Sequence, residues 1–192
     1  MSSEFDRVGF WTRFTSKSTD LCDQILCGEV AEAYYEITQL LGTFGCPYVC
    51  EITCDDSDAI LIFTPESDSK VAKEIDEFML LAPQLPNWII YSRRQRKPIE
   101  DVFEILNEIY GVDSRDAMFT VSSANDRFNV MMHTSVEPEM TPKEAAGFVK
   151  MFMEHALGEE TAMTRIGHSS ITSTHSQAAL TPQNFIDLIL SE

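Results

Sequence analysis

Positive charge is scarce: 14 lysines and arginines stand against 31 aspartates and glutamates, so the 192-residue chain has a formal net charge of −17. Such a surface repels polyphosphates and anionic lipid, which disfavours nucleic acid and membrane and favours a basic protein partner. Long apolar runs are absent too. None approaches the roughly 20 residues that span a bilayer, and the polar start MSSEFDR leads into no apolar segment of the kind a signal peptide has. Glycine is limited to eight residues; there is no glycine-rich phosphate loop, no GxSxG and no HExxH. These absences remove the readable signatures of nucleotide-binding, serine-nucleophile and zinc-peptidase enzymes and lean the reading away from an enzyme. The cysteine count is odd at five, which argues against a disulfide framework and predicts a cytoplasmic protein with reduced thiols.

Three of those cysteines, Cys46, Cys50 and Cys54, fall at every fourth position of CPYVCEITC. Pro47 disfavours helix for the residue before it, and the aromatic and β-branched residues from Tyr48 to Thr53 favour a strand. In a strand, Cys50 and Cys54 stand about 13 Å apart, beyond the reach of a disulfide or of one shared metal ion. With no CxxC or HxxxH spacing among Cys22, Cys27, His133, His155, His168 and His175, no metal and no cofactor is expected. Cys50 and Ile52 are read as small apolar residues on a core face.

What is present is a succession of helical and strand periods. Residues 1–45 read as helical, with Phe10, Trp11 and Phe14 and then Val30, Ala33, Tyr34, Ile37, Leu41 and Phe44 at three- and four-residue spacing. Two strands, 46–54 and AILIFT at 59–64, flank the turn DDSD, forming a hairpin. A helix over 66–82, a short strand at Trp88–Tyr91 and a helix from Pro98 to Tyr110 stopped by Gly111 come next. Strands around Phe119–Val121 and Phe128–Met132 turn at AND. TPKE at 141–144 has the form of a capping box opening a helix through Ala156. A helical stretch near 159–165, a polar strand at 168–174 and an apolar helix from Thr181 complete the chain. The expected fold is α+β: a single domain over 1–192, with a helical part at 1–45, a mixed sheet of about five strands with two crossover helices at 46–135, and C-terminal helices with an extra strand at 141–192. The last helix, rich in Phe185, Ile186, Leu188, Ile189 and Leu190, must dock on the body or on a second copy, which offers a route to a homodimer.

The strand–helix–strand run from 59 to 91 has the length of a parallel crossover, which places the loops after Thr64 and Tyr91 on one sheet edge, where open α/β sheets tend to bind ligands. The first loop carries Glu66 and Asp68; the second, SRRQRKP, carries Arg93, Arg94, Arg96 and Lys97 ahead of a helix N-terminus. These six residues are the candidate site for an anion or a partner. If the strand runs on through Ser92, Arg94 and Arg96 share a face as a pair of planar donors, occupied by Glu66 or Asp68 when no ligand is bound. No catalytic residue is assigned: His133 lies one position off the face of Val130 and Met132, His155 sits near a helix C-terminus, and His168 and His175 fall on opposite faces of one strand. Two readings follow. The first is a non-enzymatic interaction or regulatory protein that binds a basic partner through its acidic surface; the second is a hydrolase acting on an anionic small molecule held by Arg93, Arg94 and Arg96.

The segments AILIFTPESD, LAPQLPNWIIYSRRQRKP and HALGEETAMTRIG resemble a group of bacterial proteins of unknown function, over about residues 59–170. The resemblance implies that Pro65, Glu66, Pro83, Pro86, Trp88, Arg94 and Arg96 belong to the shared pattern. It implies no activity, and Ser67 replaces a glycine that often follows the Pro-Glu step.

Overall fold

The computed structural model describes residues 5–134, 140–174 and 179–191. By its internal contacts the chain divides into two compact units, Met1–Arg93 and Arg94–Glu192.

The first unit opens with two helices, α1 (Arg7–Leu26) and α2 (Val30–Thr43). Asp6 starts α1 by accepting from the Gly9 amide, and Gly28 (φ 91°) makes the reversal between the helices. A hairpin of β1 (Val49–Cys54) and β2 (Ala59–Thr64) follows, its turn held by the Asp55 carboxylate, which accepts from the amides of Ser57 and Asp58. Helix α3 (Ser69–Met79) then crosses back to β3 (Trp88–Tyr91), which pairs parallel with β2 from Ala59↔Trp88 to Ile62↔Tyr91. Strand order is β1-β2-β3. Period two selects the core face: Cys50, Ala59, Leu61, Phe63 and Trp88 point at α1, α2 and α3, where Phe10, Trp11, Phe14 and Phe78 close an aromatic core. The Trp11 and Phe78 rings stack at 4.7 Å, and the two buried indole N–H groups donate to the carbonyls of Phe78 and Ser18, so neither tryptophan is enclosed at the cost of an unmet donor.

The second unit shares the sequence of helix, hairpin, helical crossover and parallel strand, but has one helix before the hairpin, two in the crossover and a further helix at its end. Helix α4 (Ile99–Tyr110) ends at the left-handed Gly111 (φ 68°). The hairpin of β4 (Met118–Ala124) and β5 (Arg127–His133) turns through Asn125 and Asp126, both at positive φ as a tight two-residue hairpin demands. Helices α5 (Pro142–Leu157) and α6 (Glu159–Arg165) lead to β6 (Ile166–Thr172), parallel to β5 with a register shift at Phe128/Asn129. The order is β4-β5-β6. Leu180 exchanges two backbone hydrogen bonds with Phe119, covering part of the β4 edge, and α7 (Pro182–Ser191) lays Phe185, Ile186 and Ile189 into a core of Phe119, Phe148, Phe152 and Val130. The capping box read from TPKE is present, with Thr141 and Glu144 bonding reciprocally.

The α+β class and each expected element are found, yet the single mixed sheet of about five strands is replaced by two sheets of three. Periodicity tells a strand from a helix but not which edge a strand pairs with; each parallel crossover closes a small sheet of its own. Of the two docking places expected for the apolar face of α7, the body or a second copy, the core of its own unit takes it. No described helix is long and apolar enough to cross a membrane.

Candidate functional site

The parallel pair β2 and β3 has its carboxyl edge at Thr64 and Tyr91. Thr64 is buried, and its hydroxyl accepts from the Glu66 amide at 3.2 Å while lying 3.4 Å from the Glu66 carboxylate. Glu66 and Ser67 both take positive φ, 54° and 68°, a conformation that glycine adopts freely and that costs other residues roughly 1–2 kcal/mol each. Asp68 caps α3, accepting from the amides of Lys70 at 2.8 Å and Val71 at 3.2 Å.

The strand ends at Tyr91, before the arginines, so the alternation expected to pair Arg94 with Arg96 never applies to them. Arg93 turns onto α3 of the first unit, donating to the Asp76 carboxylate at 3.0 Å and the Ala72 carbonyl at 3.1 Å. Arg94 turns into the second unit. Its guanidinium donates to Glu154 at 2.6 Å and lies 3.6 Å from Glu159, and the three residues are 9%, 3% and 0% exposed. The backbones lock as well: the Arg94 amide donates to the Glu159 carboxylate at 3.1 Å, and the Glu159 amide to the Arg94 carbonyl at 3.0 Å. Gly158 (φ 81°) makes this approach feasible, since a Cβ there would stand 3.3 Å from the Arg96 nitrogen. Two glutamates from the α5–α6 junction thus meet Arg94, neither of them among the carboxylates expected from the sequence. Of the basic loop, Arg96 remains exposed and Lys97 half-buried; the Lys97 amide donates to the His155 carbonyl at 2.8 Å.

The remaining candidates are also accounted for. His133 is buried on the face of β5 away from the core, its Nε2 3.0 Å from the Thr120 hydroxyl and its Nδ1 against the Thr174 carbonyl. His155 is buried in the last turn of α5, where a positive charge would complement the helix dipole. His168 is exposed on β6, and His175 lies outside the described residues. Cys50 packs in the first core, and burial pushes its thiol up to about 12; burial likewise moves Cys46 to about 11. Groups with such pKa values are poor nucleophiles at neutral pH. Among the described residues no three His, Cys, Asp or Glu side chains converge as metal ligands.

Sequence reasoning missed Glu154 and Glu159 as partners. Their signal was faint: acidic residues on apolar helical positions around Gly158, where a buried charge demands a cation. Comparison with protein-family models, curated proteins and solved structures finds no match for this chain.

Proposed function

We propose that this chain is a non-enzymatic interaction protein of the cytoplasm whose acidic surface binds a basic protein partner. One observation carries the reading. Helix α4 buries Val102, Phe103 and Leu106 and exposes Asp101, Glu104 and Glu108 along its opposite side, without a single lysine or arginine on the helix. Like charges at this spacing destabilise a helix by about 0.2–0.5 kcal/mol per pair, a local cost that a basic partner would turn into attraction and faster encounter. The hydrolase reading fares worse, because Arg93 and Arg94, which were to hold its substrate, already pair with Asp76 and with Glu154 and Glu159.

Affinity capture from the native cell at low and high salt tests the proposal. The expected result is a basic protein retained at low salt, lost as screening shortens the Debye length from about 10 Å at 0.1 M to about 3 Å at 1 M, and lost at low salt from the triple variant Asp101→Asn, Glu104→Gln, Glu108→Gln. Capture indifferent to both salt and the triple variant would overturn it.

A further inference from the structure

Many cations of this acidic chain are claimed by carboxylates: Arg7, Lys17, Lys70, Arg93, Arg94, Arg115 and Lys150 all form ion pairs. Arg127 and Arg165 do not pair with any carboxylate among the described residues. Both line one hollow of about 570 Å³ at the β4–β5 turn of the second unit, together with Ser123, Asn125, Asp126 and Phe128. That volume lies in the range of small-molecule sites, about 300–1,000 Å³. Even Asp126, on the same wall, forms no ion pair with either guanidinium.

Both arginines are positioned by backbone. Arg165 closes α6, and its Nη1 donates to the Ile189 carbonyl in the last turn of α7, where carbonyls have no partner inside the helix. Arg127 opens β5, and its stem runs over Gly167 of β6. A Cβ on Gly167 would stand 3.3 Å from the Arg127 Cβ and 3.7 Å from its Cδ. Gly167 falls at the register shift between β5 and β6, so the bulge and the missing side chain together give Arg127 its place. The side chains of Ser123 and Asn125 form no hydrogen bond among the described residues. The hollow is therefore lined by two arginines, a serine and an asparagine, with Phe128, which also packs against the core of the unit, on its wall.

We propose that this hollow binds a small organic phosphate, with Arg127 and Arg165 clamping the phosphoryl group, Ser123 and Asn125 donating to its remaining oxygens, and Phe128 lying against the organic part. Two guanidinium cations on one hollow match the double charge and three oxygens of a phosphoryl group better than the single charge of a carboxylate. A phosphate polymer is disfavoured by the net charge of −17. The site is separate from the acidic face of α4 and does not depend on that reading.

Titration calorimetry with inorganic phosphate, phenyl phosphate and benzoate tests the assignment on the intact chain. Phenyl phosphate is expected to saturate with a Kd of about 1 mM or tighter, ahead of both other probes. Arg127 is exposed, so Arg127→Ala should keep the wild-type circular dichroism spectrum and lose at least about tenfold in affinity. Arg165→Lys keeps a cation but not the planar fork, and should weaken binding several-fold. Gly167→Ala keeps every charge and should weaken binding by displacing the Arg127 stem. Absence of saturable binding by wild-type protein up to about 10 mM ligand, or an Arg127→Ala affinity within about twofold of wild type, overturns the site. Equal affinity for inorganic and phenyl phosphate overturns the role of Phe128.

Discussion

A guanidinium enclosed as far as that of Arg94 is stable only where carboxylates reach it, and Glu154 and Glu159 do so from 60 and 65 positions away. Its neighbour Arg93 meets Asp76, whose side chain is largely in water. The two adjacent arginines therefore carry different energies. Removing one member of a buried pair leaves an uncompensated charge and costs about 3–5 kcal/mol, whereas removing Arg93, although it is itself buried, leaves the Asp76 carboxylate in water. Arg94→Ala is thus expected to lower unfolding stability by about 3–5 kcal/mol in denaturant titrations, and Arg93→Ala by clearly less. Equal small losses would show that the Arg94 cluster has no more weight than a surface pair. The sequence displayed the basic loop but not its partners: a run of cations looks the same whether it faces a ligand or two glutamates that only the folded chain brings to it. The loops at 64–68 and 92–98 could be read; the fate of their charges could not.

Single elements were far more readable than pairings. The strand in CPYVCEITC followed from Pro47, the β-branched residues and the period that puts Cys50 on the core face, and β1 shows all of this. Its thiols have a consequence in solution. Cys50 is pushed from 9.0 to about 12 and Cys46 from 9.0 to about 11, both by burial. The unfolded chain releases these protons near pH 9 while the folded chain holds them, so above that pH the unfolded state binds fewer protons and stability falls as pH rises. The contribution is complete below about pH 9 and is withdrawn from there through the folded values, each thiol taking away about 1.4 kcal/mol for every tenfold fall in proton concentration. Unfolding free energies measured from pH 8 to 11 should therefore decline, and Cys50→Ala, lower at pH 8 because it leaves a small cavity, should decline less steeply. An unchanged slope in that variant would refute the link to Cys50. What periodicity could not supply was strand order. AILIFT and FNVMMH both read as strands, but nothing in either says that each is the central strand of its own sheet.

Across the whole chain, one plan occurs twice: helix, hairpin, crossover helix, parallel strand, with the second hairpin strand central each time. The residues conceal it. In the first unit an aromatic cluster of Phe10, Trp11, Phe63 and Phe78 fills the core, and in the second Phe119, Phe148, Phe152 and Phe185 do so from different elements. Similar burial is thus reached by unlike sequences, and a reading by residue identity sees no repeat. Each unit has its own sheet and its own core. Chains of this size can bury enough apolar surface to fold alone. Residues 1–93 and 94–192, expressed separately, are therefore each expected to melt cooperatively by circular dichroism with the helix and strand content of their unit. Should either fragment lack a cooperative transition while the full chain melts in one step, the expected single domain over 1–192 is the correct folding unit, and the two cores are parts of one cooperative whole.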